Sequence, residues 1–349
     1  RQIAKYARAH IKTPGPQPSG YSVPPGEPEL LKQLARHYGP LGHGVTPDTL
    51  VITNGCQEAL LLCLQAVTEK GDIVAVESPI FYGTLQAIEA LGLRVIEIPA
   101  SATTGISLEA LELALEQWPI KAVLLSANIG NPLGFLMPDT HKQQLLQLLQ
   151  RYDLPLIEDD VFADLSYSNS RPLPIKAFDR DGRVLWCSSV SKTIDASIRI
   201  GWVAPGRYYQ RVLYLKYVTT MASPTGTQQA LASLLANNSY ERHLRQTRPA
   251  YQKRRDQMIH WVQHHFPAEV RLTCPAGGFL LWLELAPEVD SLQLHQRALQ
   301  YGISIAPGIL FSASDKFRHC LRLNYACAAD DRFEQAIKTL ASLIDHSLK

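Results

Sequence analysis

The sequence predicts an α/β protein: a mostly parallel sheet covered by helices on both faces, followed by a smaller α+β unit. Three observations predict it. Seven short, nearly continuous apolar runs fill the first two thirds, at residues 50–53, 73–77, 94–98, 122–126, 155–158, 184–188 and 202–204. Amphipathic helical stretches lie between them, at 57–67, 82–91, 108–117 and 140–151. Apolar strands alternating with helices are what a sheet buried on both faces requires. The last third then changes pattern. A long helical stretch from Gln228 to about His265, interrupted near Asn237, leads into the apolar run 277–283, a helix at 291–301, a short strand at 303–306, the run 320–324 and a terminal helix at 331–348.

This pattern divides the chain into an extended segment (1–27), a large domain (28–240) and a small C-terminal domain (241–349). The Pro/Gly-rich stretch from Thr13 to Pro28 reads as extended surface chain, because proline rings favour a polyproline-like backbone. Neither internal repeats nor low-complexity tracts interrupt the remainder.

At 349 residues the chain exceeds one ordinary core. Hydrophobic residues make up 46% and charged residues 19%, a globular balance. A net charge of +2 offers no electrostatic case for nucleic acid along this segment. The six cysteines form no CxxC pair, and Cys63 and Cys187 fall in apolar runs, so reduced, buried thiols in a cytoplasmic protein are expected. No apolar stretch is long enough to cross a bilayer, and the start carries no secretory pattern.

In open parallel sheets, ligands bind beyond the carboxyl ends of the strands. Chemically useful residues recur at those ends: Gly55-Cys56-Gln57, Pro79-Ile80-Phe81-Tyr82, Asn131 in Asn131-Pro132-Leu133-Gly134, Asp159 in Glu158-Asp159-Asp160, and Ser188-Ser189-Val190-Ser191-Lys192-Thr193. Lys192 at the end of an apolar strand is either a surface lysine or an amine kept there for chemistry. A desolvated lysine has a depressed pKa and captures carbonyl compounds as a Schiff base. A phosphate-loop reading fails, since Trp186 and Ser191 stand where glycines are needed. The acids around Asp159 read as a solvated loop, a magnesium site, or a carboxylate that keeps a pyridine nitrogen protonated. With Lys192 beside it, the last is favoured, and Asp160 is left structural. Together these residues fit pyridoxal 5'-phosphate.

Other positions keep two readings. Gly55-Cys56-Gln57 is a plain strand-to-helix turn or a helix start that holds a phosphate, with Arg199, Ser189 and Ser191 as further donors. Phe81 and Tyr82 are core aromatics, or one of them stacks on the cofactor ring. Arg322, inside the apolar run 320–325, is paired with an internal carboxylate or waits for one from a ligand. His260, His264 and His265 read as a wet helix face rather than a metal site.

Jointly, these motifs resemble the class I/II aminotransferases of pyridoxal-phosphate fold type I, over almost the whole chain. The resemblance implies a seven-stranded sheet, Lys192 as the cofactor lysine, Arg199 at the phosphate, Asn131 at the ring hydroxyl and Asp159 at the ring nitrogen. It also implies Phe81 stacked on the ring and Arg322 on the substrate carboxylate. Tyr21, in the element from Tyr21 to Gly26, would reach the phosphate of a neighbouring subunit, which implies a homodimer.

Segments 77–83, 176–182 and 303–308 further resemble the aminotransferase-like domain of MocR-type regulators of the GntR family. Those proteins sense an amino acid or amine through this domain and bind DNA through a preceding winged helix-turn-helix. Arg1 as first residue fits a chain without that part. The alternatives are a freestanding aminotransferase acting on an amino acid and a 2-oxo acid, and a scaffold without cofactor. Three departures from the family stand out: Phe162 where a tyrosine is usual, Ala127-Asn128 with Ile129-Gly130 before Asn131, and Asp195-Ala196 before Arg199.

Overall fold

The structure is a computed structural model that describes residues 21–41, 44–327 and 330–347. Most of the expected extended start, residues 1–20, lies outside the described residues. What is described of it is fixed: Ser22 Oγ lies 2.7 Å from Thr225 Oγ1, and Gln228 Oε1 accepts the Glu27 N–H at 2.9 Å.

Helix α1 (Pro28–Tyr38) opens with proline in its first turn and buries Leu30, Leu31 and Leu34. It follows the Pro/Gly-rich start so closely that the sequence pattern masks it. Next come β1 (Val51–Thr53), α2 (Cys56–Val67), β2 (Ile73–Ser78), α3 (Tyr82–Ala90), β3 (Arg94–Ser101), β4 (Gly105–Ile106), α4 (Leu108–Gln117), β5 (Ile120–Leu125), α5 (Asp139–Arg151), β6 (Leu156–Asp159), β7 (Val184–Ser189) and β8 (Gly201–Ala204). The strands form one sheet of order β1-β8-β7-β6-β5-β2-β3-β4. The seven expected strands are present, and the two-residue β4 is an addition, hairpinned antiparallel onto β3.

Pairing from β3 through β2, β5 and β6 to β7 is parallel. Strand β8 runs antiparallel to both β7 and β1, so β1 points the same way as β7. Six strands, β1, β2, β3, β5, β6 and β7, therefore end on one edge. Side chains alternate between two apolar layers. Ile73 and Ala75 of β2 join Leu111 of α4 and Leu145 of α5, whereas Val74 and Val76 join Leu60 and Cys63 of α2. Both faces are covered, as near-continuous apolar strands require.

Three helices follow: α6 (Tyr209–Thr220), α7 (Thr225–Ala236) and α8 (Ser239–His265). The second sheet holds β9 (Arg271–Leu272), β10 (Leu280–Glu284), β11 (Ala306–Pro307) and β12 (Cys320–Asn324), with α9 (Ser291–Leu299) and α10 (Asp331–Asp345) packed beside it. Helix α8 crosses position 240. Tyr240 and Leu244 pack in the core of the large sheet, while Met258, Trp261 and Val262 pack in that of the small one. The strand expected at 303–306 is corrected. Only Ala306 and Pro307 pair with β12, and Pro307, lacking an N–H, cannot extend the ladder.

Candidate active site

Each loop on the converging edge is held by an identifiable local device. After β1, Gly55 adopts φ +85°, and a Cβ there would lie 2.5 Å from Arg199 Nη2. Glycine is thus required for the arginine to lie against the start of α2. Arg199 is itself in the left-handed region (φ 53°) and donates to Asn54 O at 2.8 Å and Ala196 O at 3.3 Å. Asp195, one of the departures, caps the short turn before it by accepting the Ser197 N–H at 2.7 Å. Arg199, Asn54, Ser223, Thr225 and Tyr21 line a cavity of about 600 Å³. Tyr21 is 78% exposed on its rim.

Gln57 turns away from the helix start and donates to Gly83 O at 2.9 Å, tying α2 to α3. The Phe81 ring covers Gly83 and lies 4.6 Å from the Tyr82 ring. After β5, Glu77 Oε1 accepts the Ser126 N–H at 2.9 Å, anchoring the segment that carries Asn131.

The three acids ending β6 separate by environment. Glu158 is fully buried and accepts the N–H groups of Ile175 and Lys176, with its carboxyl pushed up to about 8 by burial. Asp160 accepts from Arg171 (2.6 Å), Trp186 Nε1 (2.8 Å) and Asn128 Nδ2 (3.0 Å). Asp159 alone stays half-buried at the edge. It accepts from Val161 N at 3.2 Å and Cys56 Sγ at 3.5 Å, and burial lifts its carboxyl to about 6 against those two donors.

Lys192 follows β7 in a turn where Ser191 N donates to Ser189 Oγ at 3.3 Å. Burial lowers its pKa, opposed by Asp159 and assisted by Arg322 and Arg199. Its ammonium stands 5.9 Å from the centre of the Phe162 ring. Among the described residues, Arg322 on β12 makes no ion pair. Its Nη1 donates to Asn131 Oδ1 at 3.0 Å, its Nε is buried without a partner, and it packs over Phe311 at 5.1 Å. Burial lowers its pKa. The histidines stay apart from this edge: His260 and His264 stack at 6.1 Å, and His265 meets Glu334 at 3.4 Å.

Sequence reasoning missed Glu77 and the buried pair Glu58–Lys216 (2.8 Å). Glu58 also accepts the Asn54 N–H at 2.5 Å. A glutamate three residues into a helix is a capping signal, and it was readable. Lys216 lies 158 residues away in α6, and nothing local announces it.

The donor set fits pyridoxal phosphate on this structure's own features. A cradle of backbone and guanidinium is open only because residue 55 is glycine, a carboxylate and an amine whose pKa burial lowers lie at one edge, and a half-buried arginine has a donor to spare. Comparisons agree. Residues 3–340 match the family "Aminotransferase class I and II". The uncharacterised HTH-type transcriptional regulator YjiR of Escherichia coli is 44% identical over all of this chain and 73% of its own length. The kynurenine aminotransferase of Pyrococcus horikoshii, solved with PMP, superposes with TM-score 0.90 at 29% identity, covering 100% of this chain and 87% of that one. The α-aminoadipate aminotransferase LysN of Thermus thermophilus, solved with a phosphopyridoxyl-leucine, gives 0.92 at 26% identity over 99% and 88%. The chain thus belongs to the class I and II aminotransferases, the pyridoxal-phosphate family of fold type I, in the form that MocR-like regulators carry.

Proposed function

We propose that this chain holds pyridoxal phosphate through Lys192 and recognises an amino acid or amine there, as the effector-sensing unit of a MocR-type transcriptional regulator. The observation that carries the reading is Arg322: a half-buried guanidinium with no carboxylate partner among the described residues, beside Asn131 and on the same edge as Lys192. A buried cation left so is costly unless a ligand completes it.

Bound pyridoxal phosphate supplies an aldehyde that amines capture and a ring that withdraws electrons. Lys192, whose pKa burial lowers, would be the amine that holds it and the base that moves the α-proton. Asp159 would pair with the ring nitrogen, whose positive charge would lower its carboxyl pKa and hold it ionised. Asn131 would hold the ring hydroxyl and Phe81 would stack on the ring. The N-terminus of α2 (Gly55, Cys56, Gln57), Ser189, Ser191 and Arg199 hold the phosphate. Arg322 binds the carboxylate, with Asn131 beside it.

A second copy completes the site. Exposed Tyr21 would reach its phosphate, and Tyr214, Tyr217 and Val218 on α6, all more than half exposed, supply apolar contact area. Phe162 brings no phenol to the ring hydroxyl, which favours sensing over rapid turnover. DNA would be bound through a separate winged helix-turn-helix.

The test is spectroscopic. Purified protein should show a visible cofactor band that Lys192→Ala removes, and one class of amino acid or amine should shift it. A band that survives Lys192→Ala overturns the reading. Many turnovers per site with a 2-oxo acid would instead favour an ordinary aminotransferase.

A further inference from the structure

Among the described residues, no hydrogen bond or ion pair holds the Lys192 ammonium; the face of Phe162 lies 5.9 Å away, and Asp159 attracts it through space. An amine that must bond a cofactor and then let go cannot be tied by a strong partner of its own. Its placement has to come from the backbone turn that carries it.

That turn is gripped from behind. Ile194 N donates to Val190 O at 2.9 Å, and Thr193, only 4% exposed, lies inside the protein next to Lys192. The first turns of α8 reach it twice: Tyr240 Oη is 3.1 Å from Thr193 Oγ1, and His243 Nε2 is 2.6 Å from Thr193 O. Tyr240 is in turn oriented by Asp164, whose Oδ2 is 2.6 Å from both Tyr240 Oη and Tyr38 Oη. Asp164 is held by Arg171, which also grips Asp160, the residue after Asp159. A phenol carries one proton. Tyr240 Oη therefore donates to Asp164 Oδ2 or to Thr193 Oγ1, one at a time, while the Thr193 hydroxyl donates to Val190 O at 3.4 Å within the lysine turn.

We propose that Tyr240 and Asp164 are positioning residues for Lys192: the Tyr240 phenol, oriented by Asp164, pins Thr193 and so sets where the lysine amine stands. The inference rests on the reading of Lys192 as the cofactor-holding lysine. Tyr38 shares the same carboxylate oxygen, so α1 joins this assembly without touching the lysine turn.

The experiment uses the holo-protein and reads the pH midpoint of the visible cofactor band and the rate of cofactor release. Thr193→Val and Tyr240→Phe should each move the midpoint and raise the release rate about fivefold, the effect of one lost buried hydrogen bond. Thr193→Ser, which keeps the hydroxyl, should restore both readouts. The double variant should be no worse than either single one, because both remove the same contact. Tyr38→Phe should lower stability and leave the band unchanged. If Tyr240→Phe does not fold, Thr193→Val against Thr193→Ser decides alone.

The proposal is overturned if Thr193→Val keeps the wild-type midpoint and release rate, or if Thr193→Ser behaves like Thr193→Val. Lys192→Ala serves as the separate control. A band that survives it defeats the lysine reading, whereas a lost band with silent Thr193 and Tyr240 variants defeats only the positioning role.

Discussion

Arg322 Nη1 donates to Asn131 Oδ1 over 3.0 Å, joining the small sheet to the loop after β5 of the large one. One side chain thus reports on the separation of the two sheets and on the place where a ligand carboxylate would sit. An amino acid and its decarboxylated amine should differ mainly at this residue. Arg322→Ala should weaken the amino acid's effect on the cofactor band about a hundredfold, near 3 kcal/mol, and change the amine's titration little. Equal losses for both ligands would argue against a carboxylate site.

Gly55→Ala joins two penalties, a positive φ and a Cβ 2.5 Å from Arg199 Nη2. It should cost about 1–3 kcal/mol of stability and weaken cofactor binding. Gly71, at φ +93° with nothing within 4 Å of its missing Cβ, supplies the comparison. Gly71→Ala should lower Tm without altering cofactor affinity, measured by fluorescence titration.

Arg171 links Asp160 at 2.6 Å and Asp164 at 2.5 Å in a buried cluster. Arg171→Met leaves two carboxylates without their cation and should cost about 3–5 kcal/mol in urea denaturation. A loss below about 1 kcal/mol would show that the cluster relaxes or protonates freely.

Burial raises the Glu77 carboxyl to about 8, well above its value in the unfolded chain. The folded state therefore holds a proton that the unfolded state has released, and stability falls as pH rises from about 4.5 to 8. Glu77→Gln, neutral throughout, should match wild type near pH 4.5 and exceed it by about 4 kcal/mol at pH 8. Thermal melts across that range check the slope, and parallel curves would count against a protonated glutamate.

The edge carrying the candidate site was readable where a polar residue follows or ends an apolar strand: Gly55 after β1, Asp159 ending β6, Lys192 after β7. Local order in the chain becomes spatial order in a parallel sheet. Contacts between distant segments left no such trace. Tyr240 meets Thr193 across 47 positions and Tyr38 meets Asp164 across 126, and a single tyrosine in a helix announces no partner. Helix α6 escaped notice for another reason. Tyr214, Tyr217 and Val218 face outward, which blurs the apolar-polar periodicity on which helix recognition depends.

Helix α8 has 27 residues, so at 1.5 Å per residue it is a rod of about 40 Å with one end in each core. Rotating the small sheet by a single degree would sweep the far tip through about 0.7 Å, close to the tolerance of a hydrogen bond. Pro249, near the middle, brings no N–H to the helix ladder, yet the helix runs unbroken from Ser239 to His265. Such a rotation would be carried to the Tyr240 and His243 contacts with Thr193.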